Sequence, residues 1–155
     1  MPIHNPSRNI ALSFIYFFLS TVITWWFIYC GTALYHFDEQ KMLLSCSIAG
    51  GKWALQIGAA LLFLGDKKWV FIRRIAFTCF VGSCILIPYC IAPIRYMIPG
   101  NPFLVSLIAA VAAMLILYYR SVRRTAISIK WYFGWVCCLA VAISLQLTVV
   151  FHVLS

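Results

Sequence analysis

Acidic residues are nearly absent from this chain, which carries only three Asp or Glu side chains among 155 residues. Twelve Lys or Arg side chains stand against them and give a formal net charge of +9. Charged residues make up 10% of the chain, whereas an ordinary globular domain has about 25%. Hydrophobic residues make up 65%, compared with about 45–50% in such a domain. This balance excludes an ordinary soluble enzyme or binding domain.

Several chemical motifs are also missing. The chain has no C-x-x-C pair, which a thiol oxidoreductase normally uses, and no H-x-x-H or E-x-x-H spacing for a metal or haem. Phosphate loops, zinc-hydrolase motifs and serine-nucleophile motifs are absent too. We therefore predict no cofactor, and a non-enzymatic protein is favoured over an enzyme. The basic charge lies in short connections between apolar runs, so no nucleic-acid partner is predicted.

Five apolar runs account for most of the chain, at about residues 10–30, 43–65, 75–93, 103–119 and 131–153. Runs of about 18 apolar residues or more are typical of transmembrane helices. We predict an all-α membrane bundle of five transmembrane helices that forms a single domain over residues 1–155. The first run lacks a small-residue cleavage site, which favours a retained helix over a signal peptide. A four-span arrangement, with the second run only partly inserted, is the alternative.

Positive charges divide unequally between the connections. Residues 66–74 and 120–130 each hold four Lys or Arg side chains, and Arg8 precedes the first run. The other two connections hold only Lys41 and Arg95. Since cytoplasmic loops are enriched in Lys and Arg, the N-terminus is predicted in the cytoplasm and the C-terminus outside. The expected location is the cell membrane, multi-pass, or the inner membrane in a Gram-negative bacterium.

One cation interrupts an apolar run. Lys52 lies near the middle of the second run, and Gln56 follows one helical turn later on the same face. A charge at such a depth costs about 2.5–3.5 kcal/mol on insertion scales. Asp38 and Glu39, in the connection before this run, are the predicted partners. The four residues predict a polar pocket that opens outward.

A second interpretation of Lys52 stays open. The helix could begin near Gly50 and Gly51, which would leave Lys52 at the membrane interface beside Trp53. The span would then be about 14 residues long, which is short for a hydrocarbon core of about 30 Å.

The predicted topology brings several reactive side chains toward the outer surface. Cys30, Cys46 and Cys90 are candidate outer-side thiols, and two of them could form a disulfide. His36 and His152 are weak candidates for a metal site, although no metal is predicted.

Helix packing leaves its own pattern. Small or polar stripes on the first and third runs predict close helix contacts, at Ser13, Tyr16, Ser20 and Thr24 and at Ala76, Cys79, Gly82 and Ser83. Gln56 and Gln146 are predicted to join helices through their amides.

Pro88 predicts a kink in the third run. Trp69, Tyr118, Tyr119 and Trp131 are expected to form an inner aromatic belt.

Three function hypotheses follow. The first is a non-enzymatic accessory or transporter-like subunit, embedded in the lipid bilayer and assembled as a homo-oligomer or within a larger membrane complex. The second is a membrane-embedded thiol–disulfide oxidoreductase that uses the outer-side cysteines. The third is a protein that binds a lipid or another hydrophobic ligand.

Overall fold

A computed structural model of the chain describes residues 6–36, 38–90 and 102–151. Five α-helices run through these ranges, and no strand occurs in them. The helices are α1 Pro6–Tyr35, α2 Glu39–Phe63, α3 Lys68–Cys84, α4 Pro102–Arg124 and α5 Lys130–Phe151. The predicted all-helical class is confirmed.

Three of the helices are long and apolar enough to cross a membrane: Pro6–Ala33, Glu39–Phe63 and Lys130–Val149. Large apolar side chains cover the outside of the bundle, which a lipid environment would solvate and water would not. On α1 these include Phe14, Phe18, Trp25, Trp26 and Tyr29, each more than half exposed. The protein therefore has the surface of a membrane protein on its longest helix.

The five helices close into a ring. Helix α3 packs most extensively on α1 and also on α4, α4 packs on α5, α5 on α2, and α2 on α1. Helix α2 additionally contacts α3 across the middle. The predicted contact stripe on α1 is confirmed, since Ser13 and Ser20 are buried and Tyr16 packs on the rings of Phe77 and Phe80.

The third helix differs from the predicted span at both ends. It begins at Lys68 rather than near residue 75, and residues 70–72, which fall in the predicted connection, are buried within it. It ends at Cys84, and a 3₁₀ helix follows at Ile87–Cys90. The predicted kink at Pro88 is therefore wrong. Proline lacks an amide N–H and disfavours the α conformation of the residue before it, so the α-helix ends ahead of Pro88.

The apolar core lies between helices α2 to α5. Its buried members are Trp53, Ala60, Phe71, Ile72, Ile75, Tyr118, Val122, Trp135 and Leu139. In lipid no hydrophobic force drives helices together, so these side chains hold the bundle through close van der Waals packing. The aromatic rings of this core surround Lys52.

The two most basic connections meet at one end of the bundle. Lys67 Nζ, just after α2, donates a hydrogen bond of 3.1 Å to the carbonyl oxygen of Ala126, just after α4. Ala126 adopts a left-handed φ of 51°. The amides of Ala126 and Ile127 donate back to the carbonyls of Arg123 and Val122, which closes α4 with a Schellman motif.

Candidate functional site

Helix α2 places Lys52 far from either end. The Asp38 carboxylate accepts hydrogen bonds from the amides of Gln40 and Lys41 and so caps the first turn. The helix then continues through Gly50 and Gly51 without a break. At ~1.5 Å per residue, Lys52 lies about 20 Å along the axis from Glu39. The alternative in which the helix begins at the glycine pair is wrong.

The Lys52 side chain is 7% exposed and is surrounded by aromatic faces. Its ammonium Nζ lies 4.8 Å from the ring centroid of Trp53 and 5.8 Å from that of Trp135. Within the described part of the chain it makes no hydrogen bond and no ion pair. A desolvated cation–π contact stabilises a cation by about 2 kcal/mol, against an insertion cost of about 2.5–3.5 kcal/mol. The rings therefore offset much of that cost but leave the positive charge without an anion.

Gln56, one helical turn after Lys52 on α2, connects three helices. Its Oε1 accepts a hydrogen bond of 2.6 Å from the hydroxyl of Tyr118 on α4. Its Nε2 lies 3.8 Å from Sγ of Cys138 on α5, at the long limit for a sulfur acceptor. At the other end of α2, Gln146 Nε2 on α5 donates to the Ser45 carbonyl over 2.9 Å. The predicted role of both glutamines in joining helices is confirmed.

Trp135 forms one wall of this site and has an unpaired donor. Its side chain is fully buried, and its ring stacks on that of Tyr118 with centroids 4.3 Å apart and planes 7° apart. Its indole Nε1 is buried and has no hydrogen-bond partner in the described part of the chain. Leaving a buried donor unpaired costs about 1–3 kcal/mol. Lys52 and Trp135 thus place two unsatisfied donors in one buried layer.

Thiols and hydroxyls continue this layer toward α1. Sγ of Cys79 on α3 lies 3.2 Å from Oγ of Ser20, whose hydroxyl also pairs with that of Ser83. Together with Gln56, Tyr118 and Cys138, these groups bring polar side chains of all five helices into the bundle.

The predicted acidic partners are elsewhere. Asp38 lies about 21 Å from Lys52 along α2, at ~1.5 Å per residue, and Glu39 is nearly as far. A lysine side chain cannot bridge that distance. Asp38 instead pairs with Lys41, with Nζ and Oδ2 3.6 Å apart, and both side chains are exposed. Pairing of Lys52 with Asp38 or Glu39 is therefore wrong, because more than three turns of one continuous helix separate Lys52 from both carboxylates.

The candidate thiols and histidines are only partly described. Cys30 is buried on α1 and Cys46 is partly buried on α2, and both are free thiols. The side chain of Cys90 and all of His152 lie outside the described residues. His36 is exposed beyond the end of α1, with a left-handed φ of 54°. Across the described ranges, no three His, Cys, Asp or Glu side chains are grouped to hold a metal. The disulfide stays a prediction.

Sequence patterns missed two of the most important side chains. Tyr118 was expected in an inner aromatic belt, but it is fully buried and bonded to Gln56. Trp135 belongs to none of the motifs or stripes that the sequence shows. The spacing of Trp131, Trp135, Leu139 and Ala142 at three to four residues is the signal that could have found it. In an apolar run, however, the other faces of the helix carry apolar residues at the same spacing, so the pattern does not distinguish the buried face.

Comparison with known protein families, with characterised proteins and with solved structures gives no match to this chain.

Proposed function

We propose that this chain is a non-enzymatic membrane component, an accessory or transporter-like subunit, which holds an anionic group at Lys52. The observation that carries the proposal is a buried lysine in the middle of a membrane-length helix without an acidic partner in the described part of the chain. Ionisable side chains at such a depth are rare and commonly mark a ligand or ion path.

The neighbouring donor supports an anion rather than a structural cation alone. An anionic oxygen near Lys52 would neutralise the ammonium group, and the unpaired Nε1 of Trp135 could donate to a carboxylate bound in the same layer. The surrounding rings of Trp53, Trp135 and Tyr118 suit an apolar attachment to that carboxylate. The site therefore fits an amphiphilic acid better than a small hydrated ion.

A matched pair of lysine variants tests the site. The full chain is purified in a nonionic detergent, and its thermal unfolding midpoint is measured with decanoate and with decanol. Decanoate is expected to raise the midpoint of the wild type and of Lys41→Met, whose lysine is exposed on the same helix. Lys52→Met should lose this response. Equal responses to decanoate in Lys52→Met and the wild type would contradict the proposal.

The proposed topology is five spans with the N-terminus in the cytoplasm and the C-terminus outside, in the cell membrane. Contact between the connections after α2 and after α4 supports one common side for the two most basic loops. Reporter fusions within residues 31–41 and 94–102 should both report an outer location. A cytoplasmic signal from either fusion would overturn this orientation.

The proposed role as a subunit predicts assembly with itself or with a partner protein. The native mass of the chain, extracted gently from its membrane, should exceed that of the monomer. A strictly monomeric chain would count against an accessory role. Ligand binding by the monomer would then be the remaining function.

A further inference from the structure

Three arginines cluster where α3 begins and α4 ends. Arg73 and Arg74 lie on the first turns of α3, and Arg124 is the last residue of α4. Arg74 follows Arg73 in the chain, and its guanidinium donates a hydrogen bond to Thr125, the residue after Arg124. This arginine cluster holds three positive charges together at one end of the bundle.

Arg74 is held in place within the cluster. Its Nη1 donates to Oγ1 of Thr125 over 2.8 Å and to the carbonyl oxygen of Ser121 over 3.3 Å. Its Nη2 and Nε make no hydrogen bond in the described part of the chain. A guanidinium is planar, so fixing one nitrogen also fixes the direction of the remaining donors. The cluster therefore offers an oriented set of N–H groups.

Too few protein carboxylates exist to neutralise this end. Beyond the cluster, the connections at residues 66–74 and 120–130 hold five more cations: Lys67, Lys68, Arg120, Arg123 and Lys130. The whole chain has three acids, of which only Asp66 lies in these connections. Asp38 and Glu39 lie at the opposite end of α2, about 36 Å away at ~1.5 Å per residue. An anion from outside the chain would complete the charge balance.

We propose that the arginine cluster binds the phosphate group of an anionic phospholipid. Guanidinium groups bind phosphate oxygens through paired N–H donors. The cluster lies at the end where α2 finishes and α5 begins, and both are long and apolar enough to cross a membrane. Lipid headgroups occupy that level, and basic sites between transmembrane helices bind them. The proposal depends on these helices crossing the membrane, but not on which side is cytoplasmic or on Lys52.

Competitive lipid binding tests the cluster. The full chain in nonionic detergent is given equal amounts of phosphatidylglycerol and phosphatidylcholine with the same acyl chains, and bound lipid is counted by native mass spectrometry. Each basic residue near an anionic headgroup is worth about five-fold in affinity. Arg73→Gln with Arg124→Gln should therefore weaken phosphatidylglycerol binding roughly 25-fold. The matched control is Arg120→Gln with Lys130→Gln, which removes two exposed charges outside the cluster and should have a much smaller effect.

Three outcomes would overturn the proposal. Equal binding of the two lipids by the wild type would show no preference for an anionic headgroup, and this comparison holds even if the cluster variant does not fold. Equal losses in the two double variants would show a diffuse basic surface instead of a site. Full displacement of phosphatidylglycerol by millimolar inorganic phosphate would show that free phosphate, rather than a lipid, is the ligand.

Discussion

Lys52 is a buried cation and Arg74 a partly buried one, and the two have very different surroundings. Lys52 lies in the middle of the bundle, and its ammonium faces the rings of Trp53 and Trp135. Arg74 lies at the basic end, and its guanidinium donates to Thr125 and to the Ser121 carbonyl. Aromatic faces stabilise one charge and oxygen atoms stabilise the other.

The difference follows from depth and from the chemistry of the two side chains. Arg74 reaches the last turn of α4, where the Thr125 hydroxyl and the Ser121 carbonyl accept hydrogen bonds from it, whereas Lys52 has no oxygen acceptor among the described residues. Lysine can also lose its proton when it is buried, but arginine stays charged. A lysine is therefore the cation that a mid-bundle position tolerates, and an arginine suits the helix ends. Changing each residue in turn tests this comparison.

Trp135→Ala should have the largest effect. It removes a fully buried ring that stacks on Tyr118 and faces Lys52, so we expect unfolding to become easier by about 3–5 kcal/mol. Trp135→Phe keeps an aromatic face and deletes the unpaired Nε1, and it should lose much less. Reversible unfolding in mixed micelles measures both variants. A loss of less than about 1 kcal/mol for Trp135→Ala, which is no more than an average point mutation costs, would show that the stacked rings do not hold the bundle.

Exchanging the cation at position 52 should have the next largest effect. Lys52→Arg forces a larger, permanently charged group among the rings and should destabilise the fold by about 1–3 kcal/mol. Lys52→Met has a similar length and no charge, so stability should hold or rise, as the cost of an intramembrane charge disappears. The same unfolding assay applies. If Lys52→Arg were as stable as the wild type, the mid-bundle site would be open to water.

The fold was largely predictable because membrane helices depend on long apolar runs, which composition reveals directly. Helix ends were less predictable. Lys68, Arg73 and Arg74 indicate a loop before the third run, yet α3 begins at Lys68, because residues 70–72 between these cations are buried in the bundle and extend the helix. At its other end, Pro88 limits the α-helix earlier than hydropathy indicates.

The candidate site was predictable only in part. Lys52 and Gln56 share a helical face at a spacing of four, so the sequence alone pairs them, and both are buried. Their contacts on α4 and α5 depend on how separate helices are turned toward each other. No pattern within one apolar run contains that information. The error with Asp38 and Glu39 has the opposite origin, since residues close in sequence on one helix are held apart by its axial rise.

Arg74→Lys is the reciprocal exchange and should have a smaller effect of about 1 kcal/mol. An ammonium group can retain one of the two hydrogen bonds to Thr125 and Ser121 but cannot fix a planar set of donors. Arg74→Met, which removes both bonds, should lose more than Arg74→Lys. The order of the two variants in the unfolding assay is the measurement, and equal stability of all three proteins would show that Arg74 does not join α3 to α4.

Tyr118→Phe should have the smallest effect, because it deletes one hydroxyl and leaves both stacked rings in place. The bond from Tyr118 to Gln56 crosses between helices, and such bonds contribute on average about 0.6 kcal/mol within membranes. Combining Tyr118→Phe with Gln56→Leu in a double-mutant cycle isolates that term from the loss of the amide itself. A coupling energy near zero would mean that the two side chains do not bond. A coupling of about 0.6 kcal/mol would show that hydrogen bonding between helices, and not only the aromatic faces, fixes the layer in which Lys52 lies.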